Sequence, residues 1–183
     1  MNQTELREED LWLALDERRT DAERAFITEM SRRALAWRSL GVPSDHLLGT
    51  VEPFVMLLLD VSADGKVLRT LRVDFHESRV VVGEDETMQA ATDLDEENAR
   101  VLVVKDGSPL ALATAAADWM EREILRPIER HEWVREDFCH QRYVLSDTGE
   151  PLCWSDCHNQ KRPDLGPPDR TVTVRSYDVP RRG

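Results

Sequence analysis

The chain has 183 residues, 40% of them hydrophobic and 33% charged, and its 36 acids and 24 bases leave a formal net charge of −12. That length fits one domain, or a domain with an arm, and the apolar share is enough for a core, which excludes wholesale disorder. The acidic balance argues against non-specific nucleic-acid binding and against adhesion to anionic membranes; it suits solubility or a basic partner.

The first 40 residues read as helical. Leu11, Trp12 and Leu15 form a short apolar stripe, and Thr20 with Glu23 makes a capping-box pattern that starts a second one. Ala22, Phe26, Met30, Ala34 and Trp37 then recur at spacings of three or four, the period of one helix face, before Gly41 and Pro43 stop it. The expectation is an N-terminal helix pair within 4–40.

A strand cluster follows. Phe54 to Val61 is a continuous apolar run, and Ser62-Ala63-Asp64-Gly65 turns it into an alternating strand over 67–74. In that strand Val67, Arg69, Leu71 and Val73 fall on one side and Leu68, Thr70, Arg72 and Asp74 on the other. His76-Glu77-Ser78 makes a tight turn, expected to be solvated, into a third strand, Arg79 to Gly83. Glu84, Asp85, Glu86, Asp93, Asp95, Glu96 and Glu97 then follow with no base among them, in a loop ahead of a fourth strand, Arg100 to Lys105. The segment 51–107 holds 13 acids and 6 bases, so it carries most of the net charge.

Ser108-Pro109 opens a helix over 108–126, with a Ser cap and Pro in the first turn. Leu110, Ala113, Ala117, Met120 and Ile124 mark its apolar face, widened by Leu112, Ala116 and Trp119; its many alanines allow close approach to a sheet. Arg126-Pro127 ends it. Strands are expected at 128–135, 138–145 and 152–155, with a hairpin turn at 147–150 that sets Leu145 opposite Leu152, and an edge strand at 172–177. The fold class is therefore α+β: a helix pair, a mostly antiparallel sheet of six to seven strands, and one long Ala-rich helix packed on it. One domain is expected over 1–178, with 179–183 as a frayed tail.

No Gly-rich phosphate loop, nucleophile elbow, zinc-protease helix motif or calcium loop is present. Cys139-His140 and Cys153-x-x-x-Cys157-His158 place five soft ligands within twenty residues. A tetrahedral zinc site would need four of them together. Strand alternation divides them between two faces, so no metal and no cofactor are expected. A Cys–His nucleophile pair lacks any marked oxyanion hole. Three cysteines and an acidic N-terminal sequence, with no signal-peptide pattern, point to a reducing cytoplasm. Lys occurs three times against many Arg, a bias that suits a GC-rich bacterial source.

Trp37 and Trp119 belong on apolar helix faces. Trp133 and Trp154 lie beside charged residues and are the better interface anchors. Arg130, His131, Glu132, Arg135, Glu136 and Asp137 are expected as a solvated strand face. The functional expectation is a non-catalytic cytosolic protein that binds a basic protein, as an immunity-like neutraliser or an accessory chaperone-like factor would. Glu84, Asp85, Glu86, Asp93, Asp95, Glu96, Glu97, Trp133 and Trp154 form its partner surface. A small enzyme or metal-supported module built on the Cys/His cluster is the alternative. A subunit of a larger assembly, docking through 156–170 and the Arg-ended tail, is another.

Overall fold

The computed structural model describes residues 19–38, 47–50, 54–86, 92–134, 139–152 and 165–176. The described residues form two helices and two antiparallel sheets, an α+β architecture. The chain divides into two compact units: 1–61 with 70–124, and 62–69 with 125–183. The first half of the expected helix pair, the 152–155 strand beyond Leu152, and the frayed tail lie outside the described residues.

In the first unit, α1 spans Asp21–Arg38. Its capping box forms: the Glu23 amide donates to Thr20 Oγ1 at 3.1 Å and the Thr20 amide to Glu23 Oε2 at 2.8 Å. The stripe of the sequence is buried at Phe26, Met30, Ala34 and Trp37, joined by Ile27. The sheet runs in the order β1-β2-β3-β4-β5, with β1 Leu47–Thr50, β2 Val55–Ala63, β3 Lys66–His76, β4 Arg79–Glu84 and β5 Leu102–Lys105. β1, which sequence reading missed, is a four-residue strand paired with β2.

The second helix, α2, spans Pro109–Ile124 and packs against α1, β4 and β5. Leu112, Ala113, Ala116, Ala117, Trp119, Met120 and Ile124 are buried, whereas Leu110, expected in that face, is 58% exposed. Leu110 is the second residue of the helix, in its first turn, ahead of the buried run that begins at Leu112. Arg33 of α1 reaches across to Asp118 and, at 2.9 Å, to Glu121 of α2.

β3 is central and buried along most of its length. Phe75 stacks on Phe26 with centroids 4.1 Å apart, so Leu71, Val73 and Phe75 face α1. Thr70, Arg72 and Asp74 face the other way and are also buried. The alternation is as expected, but the polar row is not solvated. The β4–β5 connection covers it: Leu94 and Val101 lie over Gly83, directly opposite Arg72.

In the second unit, the sheet runs β7-β6-β8, from β6 Ile128–Val134, β7 Cys139–Leu145 and β8 Arg170–Arg175. The late strands are thus a separate sheet, not a continuation of the first. The hairpin after β7 also differs in register. Val144 pairs with Pro151, and the Leu152 amide donates to the Tyr143 carbonyl, so Leu145 sits opposite Glu150. The loop is Ser146 to Gly149: the Gly149 amide closes onto the Leu145 carbonyl at 2.7 Å, with φ at +71°. A Gly placed to take left-handed backbone fixes that longer loop and shifts the pairing by two residues.

Candidate functional site

Two clefts adjoin the acidic segment, both in the first unit. The first, about 150 Å³, is lined by Phe54, Asp74, His76, Arg79, Val81, Asp93, Leu94 and Glu96. The second, about 220 Å³, is lined by Glu84, Asp85, Glu86, Thr92, Asp93, Leu94, Asp95, Asn98 and Val101. Asp93 and Leu94 are shared between them.

β3 lends the first cleft Asp74 and His76, from the end of its polar row. Arg72 is buried; its Nε donates to Asp74 Oδ1 at 2.8 Å and its Nη1 to the Thr92 carbonyl at 2.6 Å. Burial pushes the Asp74 carboxyl above its ordinary value, against the pull of the Arg72 hydrogen bond. His76 stands two residues on, its ring 4.2 Å from that of Phe54. Burial and then the Arg79 charge hold its imidazole below its ordinary value, so it is neutral near pH 7. The turn forms with Glu77 and Ser78 exposed, as expected, whereas His76 is half-buried and lines the first cleft. Arg79 pairs with Glu96 at 2.8 Å across the rim.

The second cleft brings the two halves of the acidic stretch together. Glu84 ends β4, and the Asp85 amide continues the ladder by donating to the Thr70 carbonyl at 2.9 Å. Asp93 and Asp95 return from the far side of the connection. Asp95 is held locally: its Oδ1 accepts from the Glu97 amide at 3.0 Å, and its carbonyl accepts from the Asn98 amide at the same distance. Glu86, Asp93, Asp95, Glu96 and Glu97 are exposed. Glu84 is half-buried, and Asp85, at 3% exposure, is the one of these seven acids withdrawn from solvent.

Trp133 departs from its expected role. It is 3% exposed, and its indole Nε1 donates to the Gly166 carbonyl at 3.1 Å. His140 and His131 pack at 5.7 and 6.2 Å between centroids, and the Arg142 guanidinium lies 5.5 Å over the ring. An indole with its edge satisfied and its faces covered is core, not an exposed anchor. Trp154 lies outside the described residues, as do Cys153, Cys157 and His158. Cys139 is exposed and stands opposite Val134, while His140 stands opposite Trp133. Adjacent on one strand, Cys139 and His140 point to opposite faces. Among the described residues, no three His, Cys, Asp or Glu side chains converge as metal ligands would.

The group around residue 130 is also less solvated than expected. Arg130 donates to Glu132 Oε1 at 2.7 Å and to Asp64 Oδ2 at 2.5 Å, and the Tyr143 hydroxyl donates to the same Asp64 oxygen at 3.0 Å. Asp64 presents that carboxylate from a two-residue turn, with φ at +52° and Gly65 at +70°. Burial, and then the bond to Asp64, pushes the Tyr143 phenol above its ordinary value, so it remains a donor. This is a structural clamp within the second unit. Arg135, Glu136 and Asp137 lie outside the described residues.

Among the described residues, no helix is long and apolar enough to cross a membrane. The chain matches no protein-family model, no curated protein and no solved structure. The functional reading therefore rests on the side chains themselves.

Proposed function

We propose that the chain is a non-catalytic cytosolic protein that captures a basic protein through the acidic surface of the β4–β5 connection. The observation that carries this reading is the second cleft. Glu84 and Glu86 from the end of β4, and Asp93 and Asp95 from the return, line one open recess. Like charges set close together repel, and a segment kept only for stability would gain by mixing signs. A partner that supplies the positive charge turns that cost into attraction. The field of such a surface speeds encounter with a cation and opposes nucleic acid. An immunity-like neutraliser or an accessory chaperone works in this way.

The test is co-purification from the cell that makes the protein. A stoichiometric basic partner should appear with the parent chain and be lost when Asp93, Asp95, Glu96 and Glu97 are replaced by their amides. A partner retained in full by that variant contradicts the reading.

A further inference from the structure

We infer that residues 92–101 form a strap that lifts from the β3–β4 face as a unit, opening the first cleft while the sheet stays intact. The inference stands whether or not the acids have a partner.

The connection's bonding is of two kinds. Among the described residues, the backbone–backbone hydrogen bonds of this segment close turns within itself: the Asn98 amide donates to the Asp95 carbonyl and the Val101 amide to the Asn98 carbonyl. The Arg100 amide likewise donates to Asn98 Oδ1 at 3.0 Å. Its ties to the sheet run through side chains. Arg72 donates from below to the Thr92 carbonyl, Arg79 pairs with Glu96 at the rim, and Leu94 and Val101 rest over Gly83. Among the described residues, lifting the strap breaks those ties and none of the β4–β5 ladder pairs, which begin at Leu102. Segments with local bonding and few buried contacts open below the free energy of global unfolding. Asp93 and Asp95 share the second cleft with Glu84 and Glu86, and lifting the strap relieves the repulsion between the two pairs. The rim pair is half exposed on both sides, so salt weakens it.

What opening uncovers is the row Arg72, Asp74 and His76 with Val81 beside it. Val81 is 3% exposed on the strap side, and Val82, its neighbour, is fully buried on the helix side. The pair makes an internal control. In Val81→Cys and Val82→Cys proteins, labelling by a small thiol reagent is followed at each site by peptide mass, which separates it from the native cysteines. The cysteine at 81 should react about tenfold or more faster than that at 82. Adding Arg79→Ala should speed site 81 by about two- to fivefold and leave site 82 unchanged. Hydrogen exchange at the Asn98 and Val101 amides, whose turn bonds travel with the strap, should stay unchanged in the Arg79→Ala chain without added cysteines, as should exchange at the Val80–Val82 amides. Equal labelling at 81 and 82, a rate at 81 that ignores Arg79→Ala, or exchange at Asn98 and Val101 that speeds up with it, would overturn the inference.

Discussion

Arg72→Met is the perturbation from which most can be worked out. Arg72 and Asp74 are both buried, at 1% and 3% exposure, and the guanidinium also holds the Thr92 carbonyl. Removing one partner of a buried ion pair costs about 3–5 kcal/mol, because the other charge is left uncompensated. Asp74 makes that cost depend on pH. Its carboxyl already lies above its ordinary value, with burial the chief cause and Arg72 the chief opposing influence. Without Arg72 it must rise further. A raised folded value means that the folded state favours the proton: the contribution to stability is full below the unfolded carboxyl value and is lost as pH rises through the folded one. The variant should therefore lose about 3–5 kcal/mol at pH 7 and less at pH 4, because proton uptake by Asp74 removes its unpaired charge. Urea unfolding of parent and variant at the two pH values, followed by circular dichroism, measures the difference. Adding Asp74→Leu should recover most of the loss at pH 7, since an apolar pair replaces a broken ionic one. A loss equal at both pH values, or below about 1 kcal/mol at pH 7, would refute the reasoning.

Ala117 is fully buried in α2, so Ala117→Arg should cost about 3 kcal/mol or more and lower the melting temperature visibly; an unchanged melting temperature would remove α2 from the core. In the second unit, Asp64→Ala and Tyr143→Phe remove two ends of one hydrogen bond. Their double-mutant cycle should show coupling of about 1 kcal/mol in urea unfolding, and strict additivity would dissolve the clamp.

The regular elements were legible where local chemistry decides them. The Thr20–Glu23 box, the Phe26–Trp37 stripe, the Asp64-Gly65 turn and the start of α2 near Ser108 all lie close to where the residues put them. What was not legible depends on coverage. Thr70, Arg72 and Asp74 alternate with apolar residues, and alternation alone reads as a half-solvated strand. The return of 92–101 over Gly83, opposite Arg72, covers that row at its middle. The same holds for Trp133, whose charged neighbours in sequence say nothing of the Gly166 carbonyl that meets its indole. The 145–152 register turned on whether the loop held two residues or four, and Gly149 with its positive φ was the available signal. The acidic stretch stood out as charge density, but the convergence of its two halves on one cleft comes from chain closure, which spacing does not report.

The central claim is that the acidic surface captures a cation-bearing partner, and the association rate tests it most directly. The rate should be measured by stopped flow at two salt concentrations, for the parent and for the chain with Asp93, Asp95, Glu96 and Glu97 replaced by amides, against the basic partner recovered by co-purification. The parent should associate fast at low salt and slow steeply as salt rises, whereas the variant should start slower and lose most of that dependence. Equal rates and equal salt slopes for the two chains would contradict the account.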